Sequence, residues 1–243
     1  MITLDRGIFN LLIFIICILA VAVAYFIYRV FMAKERALEI IELLVGIIEA
    51  GDPNLDGHSL HVHNLSMVMY EFLPYFYRMK ISQRDLHYAS LLLDIGKLGI
   101  PKEILERSGK LKNSEWDIIR KHPDLGIEMI KSVPGFVNVR SYILYHHERM
   151  DGKGYHQLAG DQIPIGARII AIADTYSAIT MDRSYKPSLP YAEAISELKM
   201  AAGSQLDEEL VEIFCNIPMS RIDDCLVDVR YKMARFAEGR KGK

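Results

Sequence analysis

The amino-acid sequence predicts an all-α domain that follows a single membrane-spanning helix. Three observations lead to this prediction. Residues 7–28 carry no charged side chain and consist mainly of Ile, Leu, Val, Phe and Ala. Beyond this run, apolar residues recur at helical spacing and do not alternate with polar residues as they would in half-buried strands. The 243 residues also contain no strand–helix repeat and no low-complexity tract.

The N-terminal apolar run is long enough to cross a bilayer, because a helix needs about 20 apolar residues to span the hydrocarbon core. A cleaved signal peptide is the alternative, but its apolar region usually has only about 7–15 residues. Tyr28 and Arg29 at the end of the run are typical of an interface anchor. Arg29, Lys34 and Arg36 follow the run and only Arg6 precedes it, so we expect the downstream domain to face the cytoplasm.

The remaining helices are predicted in chain order. Residues 34–50 show helical apolar spacing with interspersed glutamates, and they form either a dimerising stalk or, by default, the first core helix. Gly, Asp, Pro and Asn at residues 51–54 end this helix. Further helices are expected over residues 57–79, 82–95, 114–121, 123–132, 136–148, 167–183, 191–202 and 207–216.

These elements divide the chain into four segments. We expect an anchor over residues 1–33, a linker or stalk helix over 34–50, a globular helical domain over 51–220, and a C-terminal helix with a basic tail over 221–243. The formal net charge of −2 excludes the extended basic surface that long nucleic acid requires. A small phosphorylated ligand remains compatible with this charge, because it needs only a local group of cations.

Histidines and aspartates in apolar surroundings are the candidate metal ligands. His146 and His147 are adjacent, and neighbours on a helix point about 100° apart, so both cannot occupy the centre of one apolar face. Asp174 interrupts an apolar run and Asp94 follows three leucines, where a carboxylate is costly unless it is paired or metal-bound. The full candidate set is His58, Asp94, His122, His146, His147 and Asp174.

Each histidine taken alone is also compatible with a structural role. His58 fits a helix start, and His122 fits a junction between a loop and a helix. We expect His63, His87 and His156 on the surface or in partly buried positions. Imidazole and carboxylate together suit divalent Fe, Mn or Zn, and a bridging carboxylate can hold two such ions close together.

Four segments in one order resemble the HD-GYP family, a branch of the HD-domain metal phosphohydrolases that degrades the bacterial messenger cyclic di-GMP. They are Leu-Leu-Asp-Ile-Gly-Lys at 92–97, His-Pro-Asp-Leu-Gly at 122–126, the His-His-Glu run at 146–155, and Ala-Ile-Ala-Asp-Thr-Tyr at 171–176. The resemblance covers roughly residues 51–216 and implies an HD-domain helical bundle.

The resemblance also implies a role for each candidate residue. Asp94 and Lys97 would be catalytic, with Asp94 bridging the metals and Lys97 near the scissile phosphate. Arg183 and Lys186 would contact phosphates, and Tyr155 would form an aromatic wall for a guanine. The implied ligands of one or two divalent ions, most readily Fe or Mn, are His58, Asp94, His122, His146, His147 and Asp174.

The chain departs from the family pattern at the first metal. Leu93 stands where the family has the histidine of its HD pair, so the ion expected on His58, Asp94 and Asp174 loses a ligand. His61, one helical turn after His58, is a candidate substitute. The ion expected on Asp94 and the three later histidines keeps its full implied set.

Two further departures concern the third metal and the signature loop. Asn54 lacks the carboxylate that some relatives use for a third ion, so we expect two ions at most. His156 replaces the proline of the Gly-Tyr-Pro motif, which frees the backbone of the loop.

The sequence leaves three functions open. The first is a membrane-anchored phosphodiesterase that hydrolyses cyclic di-GMP to pGpG or GMP, slowed by Leu93. The second is an inactive module that binds cyclic di-GMP or contacts signalling proteins, either as a monomer or as a homodimer. The third is related chemistry on another phosphate ester. For each we expect a single-pass protein of the bacterial inner membrane with its domain in the cytoplasm.

Overall fold

The computed structural model describes residues 6–50, 57–107, 109–181 and 188–241. Within these ranges the regular structure is helical, apart from an isolated bridge between Ala202 and Leu206, which confirms the predicted all-α class. The α-helices are α1 Arg6–Glu49, α2 His58–Phe72, α3 Tyr75–Arg78, α4 Gln83–Leu92, α5 Lys102–Leu105, α6 Asn113–Ile119, α7 His122–Met129, α8 Val137–Tyr145, α9 Ile165–Thr180, α10 Tyr191–Ala201, α11 Glu208–Cys215 and α12 Met219–Lys241. Two 3₁₀ turns occupy Ile95–Gly99 and Gly160–Gln162.

The chain divides into two compact units, and the first ends at Ile41. Its described part is the first 36 residues of α1, whose apolar side chains are exposed along the predicted span. By length and composition this helix could cross a membrane. Exposed apolar side chains in such number are what a lipid-facing helix requires.

The second unit begins at Glu42, which differs from the boundary at residue 51 expected from the sequence. The last turns of α1 belong to this unit for a physical reason: Val45 and Glu49 are buried, and Glu42 forms an ion pair with Lys232 of α12. The segment around Val45 therefore packs into the core of the second unit. The C-terminal segment also belongs here, because Asn64 of α2 donates to the Cys225 carbonyl of α12.

Helix α2 occupies the centre of the second unit. It packs against α4, α9 and α12, and its side chains Leu60, Val62, Leu65 and Met69 are almost fully buried. Helix α9 contributes a second apolar face and contacts α2, α8 and α10. These helices hold the core together, and the candidate ligands lie at the ends of α2, α4, α7 and α8 and within α9.

The helix predicted over residues 57–79 is wrong in extent, because α2 ends at Phe72. Leu73 adopts an extended backbone with φ −64° and ψ 137°, as residues before a proline usually do. Pro74 then starts the short helix α3. The helix predicted over residues 82–95 likewise ends early, at Leu92.

A close backbone approach brings the turn after α4 onto the start of α7. A Cβ atom added to Gly96 would overlap the carbonyl oxygen of His122 and would lie 2.5 Å from the backbone nitrogen of Gly126. Only glycine permits this approach. Gly96 therefore allows Asp94, two residues earlier, to lie beside His122.

Candidate metal centre

The six predicted ligands lie mainly at helix ends. Their positions are His58 at the start of α2, Asp94 just after α4, His122 at the start of α7, His146 and His147 after α8, and Asp174 within α9. Helix α8 ends at Tyr145, so the histidine pair occupies a turn and not the helix predicted over residues 136–148. Separate helices thus bring these side chains to one region, as in helical di-metal proteins.

Asp94 lies between two groups of candidate ligands. Its Oδ1 is 3.3 Å from His122 Nε2, and its Oδ2 is 4.0 Å from His58 Nε2. The same Oδ2 accepts a 2.7 Å hydrogen bond from Lys97 Nζ. A carboxylate with one oxygen facing each group is placed as a bridging ligand requires.

The first group consists of His122, His146 and His147. One ring nitrogen of each lies within 4.8 Å of the others, a spacing that could hold a metal ion. The Nδ1 of His122 lies 2.8 Å from the Ile119 carbonyl, and that of His146 lies 2.6 Å from the Ile143 carbonyl. Donation to these carbonyls would fix the tautomer and leave each Nε2 free to bind metal, as in known metal sites.

The second group pairs His58 with Asp174. His58 Nε2 lies 3.0 Å from Asp174 Oδ1, while Nδ1 lies 2.9 Å from Ser177 Oγ. The other carboxylate oxygen of Asp174 lies 4.0 Å from His147 Nδ1 and so connects the two groups. The Ser177 hydroxyl can orient the His58 ring toward the carboxylates, as polar groups behind metal ligands do.

The electrostatics of the site favour the forms that bind metal. Burial lowers the pKa of His122 to about 4 and that of His147 well below its ordinary value, so both imidazoles are neutral at pH 7. Burial would raise the pKa of Asp94, but Lys97, His122 and His58 hold it below the usual carboxyl range. Neutral imidazole and ionised carboxylate are the ligand forms that divalent cations require.

The positions of Leu93 and His61 bear on the ligand expected to be missing from the ion on His58, Asp94 and Asp174. Leu93 is fully buried in the core immediately before Asp94 and offers no donor atom. His61 is buried as well, and its Nδ1 lies 3.0 Å from Ser177 Oγ. His61 thus reaches His58 through a shared hydroxyl, and its role as a substitute ligand stays a prediction.

The signature loop covers one side of the histidine group. The ring of Tyr155 lies 4.8 Å from that of His147, and the guanidinium of Arg120 lies 5.8 Å from the Tyr155 centroid. Glu148 holds the loop by accepting hydrogen bonds from the backbone of His156 and Leu158. The loop is therefore ordered beside the candidate ligands.

A cavity of about 340 Å³ borders Asp94 and Lys97. Its walls are mainly aliphatic, and Glu49 and Ser59 also line it. Arg183, Lys186 and Asn54 lie outside the described residues. The predicted phosphate contacts of Arg183 and Lys186 therefore stay predictions, as does the expected absence of a third metal at Asn54.

The structure adds four residues that the sequence did not single out. They are Glu49, Arg120, Glu148 and Ser177. Ser177 was detectable in principle, because it follows Asp174 by three residues and so shares its helix face. Glu49 had no sequence signal, since it is one of several glutamates in its helix and only the fold brings it to Ser59.

Comparison with known proteins shows which family the chain resembles. Residues 47–210 match the family described as HD domain. A 3′3′-cGAMP-specific phosphodiesterase of Vibrio cholerae is 35% identical over 184 residues, which are 74% of this chain and 34% of that protein. A cyclic di-GMP phosphodiesterase of Thermotoga maritima is 32% identical over 187 residues, covering 76% of this chain and 50% of that protein.

One solved structure supports the fold. An HDGYP protein from Bdellovibrio bacteriovorus aligns with a TM-score of 0.51 at 18% identity, covering 65% of this chain and 50% of that chain. The chain thus spans between a third and a half of the length of the two curated relatives described above.

Proposed function

The chain belongs to the HD-domain family, within its HD-GYP branch, and from this premise we propose that it is a metal-dependent phosphodiesterase of cyclic di-GMP. One observation carries the proposal. Asp94 lies between His58 on one side and His122 on the other, with Lys97 bonded to the same carboxylate. This arrangement combines candidate ligands for two ions with a cation for a phosphate.

The residues present fit divalent metals, because they offer imidazole nitrogens and carboxylate oxygens in one buried group. Bound ions would polarise the phosphoryl group and activate the attacking water. Lys97 would neutralise negative charge that develops on the phosphate. Tyr155, beside His147, would contact a base or ribose of the substrate, and Arg183 and Lys186 would hold its phosphates.

The proposed enzyme is slow and holds one or two ions, with Fe or Mn as the expected metals. The slowness follows from Leu93, which supplies no donor atom beside Asp94. Loss of one ligand weakens metal affinity, since donor number and geometry set the affinity of such sites. The product would be pGpG or GMP.

The proposed location is the bacterial inner membrane, with α1 as a single-pass anchor and the second unit in the cytoplasm. The uncharged run at residues 7–28 and the basic residues after it support this orientation. No extended basic surface for long nucleic acid is expected from the net charge of −2. A homodimer or a signalling-protein partner is compatible with this arrangement.

The test uses the full chain in detergent, purified without oxygen and loaded with Mn(II) or Fe(II). Metal content and hydrolysis of cyclic di-GMP are measured together, with 3′3′-cGAMP as a second substrate and Asp94→Asn as the control. We expect at least one ion per chain and slow turnover that the control abolishes. Metal binding without turnover of either substrate would contradict the proposed enzyme.

The second candidate function is a signalling module that binds cyclic di-GMP without hydrolysing it. Two observations favour it: the apolar Leu93 beside Asp94, and His156 in place of the signature proline. Calorimetric titration separates the two functions. Micromolar binding with no product identifies the module, whereas absence of binding leaves only contact with partner proteins.

A further inference from the structure

Glu49 is a buried carboxylate that the proposed chemistry does not use. It is the last residue of α1 and is only 3% exposed. Its Oε1 accepts a 2.9 Å hydrogen bond from the backbone N–H of Ser59, and its Oε2 has no hydrogen-bond partner in the described part of the chain. A carboxylate buried in this way is costly, so its position calls for a physical reason.

Helix α2 lacks a cap of its own. Its N-cap residue is Gly57, in the left-handed region at φ 86°, which has no side chain to accept from the first N–H groups. The first turn of α2 also contains no acidic residue. The first four N–H groups of a helix need acceptors from elsewhere, and a carboxylate there also interacts favourably with the helix dipole. Glu49 supplies this acceptor from a different helix.

The capped turn carries a candidate ligand. His58 is the first residue of α2. The peptide bond between His58 and Ser59 contains the N–H that donates a hydrogen bond to Glu49. The imidazole of His58 lies 3.0 Å from Asp174 Oδ1 and 4.0 Å from Asp94 Oδ2. A shift of this peptide therefore changes both distances.

Packing alone does not hold the turn on every side. Glu49, Ser59 and Asp94 all line the cavity of about 340 Å³, so empty space borders the first turn of α2. A turn next to a cavity can move into it when its hydrogen bond is removed, because close packing no longer opposes the shift.

We propose that Glu49 is a positioning residue, which fixes the first turn of α2 and thereby sets where His58 meets Asp174 and Asp94. The proposal rests on the metal centre of the proposed function and deepens it. Glu49 also connects the end of α1 to the candidate ligand His58, so a displacement of that helix end would alter the metal site.

The test compares Glu49→Ala, Glu49→Gln and the control Glu42→Ala in the full chain in detergent. Glu42 lies on the same helix and pairs with Lys232 of α12, whereas the Ser59 N–H bonds to Glu49. Mn(II) affinity and the number of bound ions are measured by calorimetry, and thermal unfolding is measured in chelator. We expect Glu49→Ala to weaken Mn(II) binding by about 10- to 100-fold, the usual effect of losing a group that orients a ligand.

The other variants separate positioning from stability. Glu49→Gln keeps an oxygen acceptor and should bind Mn(II) within about threefold of the natural protein, whereas Glu42→Ala should leave the affinity unchanged even if it lowers the melting temperature. If Glu49→Ala does not fold, Glu49→Asp shortens the reach to Ser59 and is expected to weaken Mn(II) binding in the same direction.

Distinct outcomes identify which idea fails. Mn(II) affinity unchanged in Glu49→Ala or Glu49→Asp, with lower stability, would overturn the positioning role. Weakened binding in these variants, with no hydrolysis by the natural protein, would support positioning and contradict the proposed enzyme. Absence of Mn(II) binding by the natural protein would overturn both.

Discussion

The backbone N–H of His156 donates a 2.6 Å hydrogen bond to Glu148 Oε1. A proline at this position, as in the family motif, has no N–H and could not form it. The replacement of proline by histidine therefore adds a bond to the loop, although the sequence suggested mainly a gain of backbone freedom. The His156 ring makes a second polar contact, in which Nε2 lies 3.3 Å from Asp124 Oδ1.

His156→Pro is expected to destabilise the apo protein by about 1–3 kcal/mol, because it leaves a buried Glu148 oxygen without its donor. His156→Ala keeps the N–H and loses the ring contacts with Asp124, Glu148 and Tyr145, so its effect should be smaller, about 1 kcal/mol or less. Thermal unfolding in detergent measures both. Equal melting temperatures for the two variants would show that the backbone bond contributes nothing.

Leu93→His is expected to raise the metal content to two ions per chain and to increase hydrolysis of cyclic di-GMP. The new imidazole would supply a donor atom next to Asp94. The same change should lower apo stability by about 1–3 kcal/mol, since it buries a polar ring in the core. Elemental analysis and product chromatography provide the measurements.

The neighbouring Leu92 offers a matched control for this change. It is also buried, but it is the last residue of α4 and does not adjoin Asp94 in sequence. Leu92→His should destabilise the apo protein without adding an ion. An equal gain of metal in both variants would refute a specific role for the position of Leu93.

Lys97→Met is expected to reduce kcat for cyclic di-GMP by about 10²- to 10³-fold, the usual cost of removing a group that stabilises transition-state charge. The 2.7 Å bond between Lys97 and Asp94 would be lost as well, and the Asp94 pKa should rise toward its ordinary value. Lys131→Met serves as control, because Lys131 pairs with Glu128 and is largely exposed. Steady-state kinetics would contradict the assignment if both variants lost activity equally.

Acid should destabilise the apo protein through His63. The sequence suggested a surface or partly buried position, but the structure buries this ring against Ser90, and burial lowers its pKa to about 3. The unfolded chain takes up a proton near pH 6.5 and the folded chain does not, so stability is complete above that pH and is lost as the pH falls toward 3. At pH 5 the loss is about 2 kcal/mol.

His63→Gln should remove the part of this acid dependence that comes from His63. The amide can still bond to Ser90 but does not titrate, so its unfolding free energy should change less between pH 7 and pH 5. His61, whose pKa is lowered to about 3 for the same reason, contributes to both proteins alike. Identical pH profiles for the two proteins would rule out His63 as a source of acid sensitivity.

Much of the protein followed from local sequence features. The apolar run at residues 7–28 and the helical spacing beyond it predicted an all-α chain. This prediction needs only the local sequence, because the spacing of apolar residues along a helix matches its 3.6-residue period. The ordered motifs around Asp94, His122 and Asp174 predicted the family, which the match over residues 47–210 confirmed. Helix ends were predicted less well, as Pro74 and Tyr145 show, because capping depends on contacts made after folding.

The tertiary structure decided which residues that are distant in sequence lie next to each other. It placed Asp94 between His58 and His122 and brought Glu49 to the first turn of α2. It also buried His63, which nothing in its flanking residues required. No periodicity encodes such relationships, because each depends on how separate helices pack and on which polar groups that packing leaves without water.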